Sequence, residues 1–124
     1  VNDALYDYMF DATEFNLGEM VAQAQARGAR AILATVPPTI QSDYADRSIQ
    51  GGRIRAFNPY VYNVGAGYNI PIAPVYEYIT SMPDWERTMM DQPTANHPSP
   101  AGHLRVRDAF YEAFLTRFYD GGYY

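Results

Sequence analysis

Two histidines, His97 and His103, lie in one run, Asn96-His97-Pro98-Ser99-Pro100-Ala101-Gly102-His103. Histidine is the usual general base near neutral pH, because its proton comes off in that range. Ser99 and Pro100 read as a helix N-cap followed by proline at the first helical position. His97 therefore falls on a loop just before a helix, after a strand–loop–helix unit. That is where α/β sheets present catalytic groups. His103 falls within the first turn or so of the same helix. The two histidines are six residues apart, which is not the i, i+4 pair of a helical zinc site, and the run holds no third ligand. On residue type alone, His97 fits a loop histidine hydrogen-bonded near a helix start as well as it fits a general base.

Other chemistries are closed by composition. The chain has no cysteine, which excludes thiol catalysis, disulfides and cysteine zinc sites. All nine basic residues are arginine, which excludes Schiff-base and Ser–Lys chemistry. Four serines are present, Ser42, Ser48, Ser81 and Ser99, and none stands in a Gly-x-Ser-x-Gly context. With 14 acidic residues, a net charge of -5 and a pI near 4.8, the chain is a poor candidate for binding nucleic acid or an anionic membrane, which need a basic face. The longest apolar runs are about six residues, far below the ~20 needed to span a bilayer. The chain shows no basic start followed by an apolar run. It opens on Val1, inside what reads as a motif, so we expect a piece of a longer polypeptide.

The elements that must position these residues alternate between helix and strand. At 124 residues and 48% hydrophobic, the chain can bury a core without staples. Asn16 and Glu19 suggest a capping box, and Leu17, Met20, Val21 and Ala24 then share a helical face. Gly28 follows as the stop. The apolar run 31–36, ended by Pro37 and Pro38, reads as a buried strand of a parallel sheet. Residues 39–52 read as a long polar loop, a kind that is often functional. Residues 53–65 share a face at Ile54, Phe57, Val61 and Val64, although Pro59 sits inside that helix. Residues 70–76 read as a second strand, and the prolines at 71 and 74 place it at an edge. A short turn over 84–90 is anchored by Trp85, with Asp84 and Glu86 suited to a helix start rather than to catalysis. The last helix runs from Ser99 to about Phe118, with Val106, Phe110, Ala113 and Phe114 inward. The twelve tyrosines read mainly as packing. Such alternation argues α/β with a parallel sheet covered on both faces. Two strands make a thin sheet, so further strands are expected before Val1.

These residues resemble the SGNH (GDSL-like) hydrolases. That family carries Gly-x-Asn-Asp on the loop after a central strand. It also carries Asp-x-x-His, followed by Pro, a small residue and Gly, at the opening of its last helix. Val1-Asn2-Asp3 looks like the end of the first motif. His97 through His103 looks like the second, and the passage 26–38 is similar to the family's helix–strand–proline segment. The resemblance covers essentially the whole chain, and residues 1–124 would be the C-terminal part of one such domain. It implies an α/β three-layer sandwich with a parallel sheet, the flavodoxin-like SGNH hydrolase fold. It implies a serine esterase or acyl hydrolase needing no cofactor and no metal. His97 would be the general base, Asn2 the side-chain donor of the oxyanion hole, and Asp3 a residue that holds the loop.

Two departures shape the expectation. The family's nucleophilic Gly-Asp-Ser is absent here, so an N-terminal fragment or partner chain would have to supply it. The triad acid normally lies three residues before the histidine, where this chain has Thr94, while Asp91 lies six before. Either Asp91 completes a triad or the site runs as a Ser–His dyad oriented by a backbone carbonyl. The expected substrate is an ester, of an acylated carbohydrate or a lipid, and secretion is preferred because many relatives act on external polymers. The alternative is a non-catalytic SGNH-fold subunit that binds glycans or serves in an assembly.

Overall fold

The computed structural model describes residues 9–119. Two short parallel strands carry the sheet: β1, Leu33–Ala34, and β2, Ile72–Ala73, paired Leu33 with Ile72 and Ala34 with Ala73. The ladder extends beyond them through Leu33 N–H to Pro71 O (3.3 Å) and Thr35 N–H to Ala73 O (3.1 Å). Both strands are shorter than their apolar runs, because Pro37, Pro38, Pro71 and Pro74 have no N–H to donate at their ends. At the exit of β1, the buried Asn58 takes the place of a neighbouring strand. Its Oδ1 accepts Val36 N–H at 2.8 Å and its Nδ2 donates to Val36 O at 3.2 Å.

Helices cover both faces of this sheet. Helix α1, Phe10–Ala26, packs on α2, Ser48–Tyr68, which is the crossover between the two strands. Successive strand residues point to opposite faces. Ile72 turns toward α2, so close that a Cβ on Gly65 would lie 2.5 Å from Ile72 Cδ1. Ala73 turns the other way, into a cluster with Ile40, Val75, Ile79, Met90, Ala109 and Ala113. That cluster is closed by α3, Val75–Thr80, and by α5, Pro100–Phe114, with α4, Trp85–Thr88, beside it. A five-residue π turn, Leu115–Tyr119, ends the described chain. The result is the three-layer α/β arrangement with a parallel sheet.

Several local expectations are corrected. Helix α1 begins at Phe10 with Met9 as its N-cap, not at Asn16. The Thr13 N–H and hydroxyl both turn onto Met9 O, at 3.2 and 3.3 Å, so the first turn closes without a capping box. The inward face of α1 is Gly18 and Val21, and Met20 is 67% exposed. The predicted stop holds: Gly28 has φ +75, open to glycine at no steric cost. Helix α2 begins at Ser48 rather than 53, its Ser48 N–H held by Asp46 Oδ1 at 2.9 Å. Pro59 is exposed, on the side where water can meet the carbonyl left without a helical partner. Helix α3 replaces the end of the expected second strand, with Val75 and Ile79 buried at i, i+4. In α5 the small residues Gly102, Ala109 and Ala113 face inward, while Phe110 and Phe114 are 39% and 46% exposed. The helix lies too close to β2 and α3 for aromatic rings to fit between.

Candidate functional site

The histidine loop is built on a short antiparallel bridge between Met90 and Pro98. Asp91 N–H donates to His97 O at 2.8 Å, Ala95 N–H donates to Asp91 O at 2.9 Å, and Ser99 N–H donates to Met89 O at 2.8 Å. The Asp91 carboxylate holds the turn from inside: its Oδ2 accepts the Thr94 hydroxyl at 2.7 Å and the Thr94 N–H at 3.2 Å. The structure thus joins Asp91 to His97 through backbone atoms, and the hydrogen bonds of its carboxylate go to Thr94. The His97 side of the loop is exposed, and its ring makes no hydrogen bond among the described residues.

Ala95 is fully buried and has φ +57, a left-handed conformation that costs a residue with a Cβ about 1–2 kcal/mol. It is held there because its carbonyl accepts Ile40 N–H at 2.9 Å. Ser42 adds a second tie, its hydroxyl donating to Gln92 O at 2.6 Å. The loop after β1 therefore clamps the histidine loop at two points.

The motif's last residues secure the other end. Ser99 Oγ accepts Gly102 N–H at 3.1 Å, which caps α5 as the sequence predicts, and donates to Thr88 O at 2.8 Å. Gly102 is glycine for a steric reason. A Cβ there would lie 2.1 Å from the backbone oxygen of Met89 and 2.9 Å from Pro98 Cβ. The helix start and the loop base are in direct backbone contact, so the position of His97 is inherited from α5. His103 lies on the exposed side of that helix and bonds back through its N–H to Ser99 O.

Asn2 and Asp3 lie outside the described residues. All four serines have structural partners: Ser42 and Ser99 as above, Ser48 through its hydrogen bonds to Asp46, and Ser81, whose hydroxyl donates to Tyr78 O at 3.1 Å. Ser48 opens α2. Among the described residues no group of three His, Asp or Glu side chains is placed to hold a metal ion. No described helix is long and apolar enough to cross a membrane.

Sequence reading missed one polar network. Buried Thr35, at the end of β1, donates from its hydroxyl to Glu77 Oε2 at 3.0 Å and accepts Tyr76 N–H at 2.8 Å. The other Glu77 oxygen accepts the Tyr62 hydroxyl at 3.1 Å. Desolvation, and then the neighbouring Glu77 charge and hydrogen bond, push the Tyr62 phenol up to about 12. The only advance signal was a threonine at the end of an apolar run. Two cavities are lined by residues other than His97: one of about 500 Å³ beside β2, between α2 and α5, and one of about 520 Å³ beside the loop after β1.

The same architecture occurs in solved structures. A protein from Bacteroides fragilis NCTC 9343 superposes with a TM-score of 0.70 at 21% identity, over 88% of this chain and 53% of that one. TesA matches with a TM-score of 0.67 at 21% identity, over 93% of this chain and 58% of that one. A GDSL-like lipase from Bacteroides thetaiotaomicron VPI-5482 matches at 0.68 and 19% identity, over 88% and 54%. The chain thus spans a little over half the length of these structures. No curated protein matches it by sequence. The sequence profile of the GDSL-like Lipase/Acylhydrolase family matches residues 1–105, through the whole histidine motif and into α5. With that match and this fold, the chain belongs to the GDSL-like lipase/acylhydrolase family.

Proposed function

We propose that this chain is the C-terminal part of a serine ester hydrolase, contributing His97 as general base and Asn2 as an oxyanion-hole donor. The observation that supports this reading is the histidine loop. A loop clamped by Ile40, Ser42 and Gly102 presents one exposed imidazole at the start of α5. A serine outside this sequence, on an N-terminal segment or a partner chain, attacks the ester carbonyl carbon. His97 takes the serine proton and returns it to the departing alcohol. The Asn2 amide donates to the oxygen on which negative charge develops, and one such donor is worth ~2.7–4 kcal/mol in the transition state. Water then attacks the acyl-enzyme, with His97 again accepting the proton. Asp91 is a positioning residue in this scheme, since its carboxylate holds the turn through Thr94. No cofactor takes part in these steps.

The test is denaturing mass spectrometry of the native particle after treatment with a serine-directed fluorophosphonate. The expected result is label on a serine in a Gly-Asp-Ser sequence outside residues 1–124, lost in His97→Ala. An unlabelled particle in which His97→Ala changes nothing would sink the enzymatic reading and leave a non-catalytic binding subunit.

A further inference from the structure

The geometry points to a carbohydrate subsite in the cavity beside the loop after β1, which takes the sugar of a sugar ester. This rests on the esterase reading above and decides between its two substrate classes. The cavity holds about 520 Å³, within the ~300–1,000 Å³ of small-molecule sites. Its one aliphatic side chain, Ile40, is only 3% exposed and belongs to the core. An acyl chain would find little apolar wall there.

The polar groups suit a neutral polyol. Asp43 and Glu86 offer carboxylate acceptors, and Arg55 offers a guanidinium fork of donors. Among the described residues none of these three side chains has a hydrogen-bond or ion-pair partner. A phosphate or sulfate would meet two carboxylates, and a cation would meet Arg55. A sugar hydroxyl donates to the first kind of group and accepts from the second. Trp85 adds a flat ring that packs against the core while lining the cavity, a platform for the C–H face of a pyranose.

The cavity is also held in register with the histidine loop. Ser42 lines it and donates to Gln92 O at 2.6 Å, and Gln92 Nε2 donates to Glu86 O at 2.7 Å. A sugar seated on Trp85 is thus fixed relative to the loop that carries His97.

Trp85 is the single tryptophan of residues 1–124, and the difference between wild type and Trp85→Phe isolates its emission in the intact protein. The intact protein is titrated with neutral trisaccharides (xylotriose, maltotriose, cellotriose, chitotriose). Hydrolysis is followed on the acetylated trisaccharides, 4-nitrophenyl acetate and 4-nitrophenyl octanoate. We expect at least one trisaccharide to shift the emission saturably, with Trp85→Phe removing the signal. Arg55→Gln and Glu86→Gln should each weaken binding about tenfold, the loss of about 1.4 kcal/mol. They should lower kcat/KM for the acetylated sugar by a similar factor. No response to any trisaccharide, in a protein that cleaves 4-nitrophenyl acetate, overturns the subsite and leaves the esterase standing. So does a preference for the octanoate. Saturable sugar binding without hydrolysis of any ester supports the carbohydrate site and sinks the esterase reading.

Discussion

Replacing Gly102 by alanine tests the claim that α5 positions the histidine loop. The new Cβ would start 2.1 Å from Met89 O, about 1.3 Å short of the 3.4 Å at which ordinary contact begins. The clash is with backbone, so no side-chain rotation relieves it. Overpacking of this kind costs about 1–3 kcal/mol. The shift also strains the Ser99 N–H bond to Met89 O, and a typical hydrogen bond contributes about 0.5–1.5 kcal/mol. Against this, alanine in a helix is favoured over glycine by about 1 kcal/mol. The net expectation is a loss of about 2 kcal/mol, read as a lower urea midpoint at constant m. Gly67→Ala is the matched control, since nothing lies within 4 Å of its Cβ in α2. It keeps the propensity gain without the clash and should leave the midpoint equal or higher. If Gly102→Ala unfolds at the same urea concentration as Gly67→Ala, the close contact is not there and the argument for an inherited His97 position fails.

Asp91→Asn separates a turn residue from a triad acid. It keeps an oxygen for Thr94, so esterase kcat in the intact protein should fall by less than about tenfold, whereas loss of a triad carboxylate costs about 10⁴. Asn58→Ala leaves the Val36 N–H and C=O without their side-chain partner and should cost about 1–3 kcal/mol by denaturant titration. The raised Tyr62 phenol gives a signed pH dependence. Its contribution is fully present below the ordinary tyrosine value of 10.0 and is lost as pH rises through about 12. Wild type should therefore lose stability relative to Tyr62→Phe between those two values. Parallel unfolding curves of the two proteins across that range would refute the raised Tyr62 phenol.

Features of this chain that depend on a few adjacent residues were legible without coordinates. Ser99-Pro100 starts a helix and Gly28 ends one, because caps and left-handed stops are decided by the residue at the position itself. The apolar runs at 31–36 and 70–76 announced parallel strands, since strands covered on both faces carry no polar alternation. The order of motifs along the chain pointed to its family.

Tertiary structure decided what depends on distance through space. Asp91 reads from its spacing as a partner for His97 or as a turn residue, and in the folded loop its Oδ2 accepts from Thr94. Phe110 and Phe114 share a face with Ala113 by periodicity, yet the close approach of α5 to β2 admits only the small residues. Trp85 and Arg55 are thirty residues apart in sequence and line one cavity because the loop after β1 folds between them. Spacing along a chain constrains which side chains share a face. Which partner each face meets depends on how closely separate elements pack, and no local pattern encodes that distance.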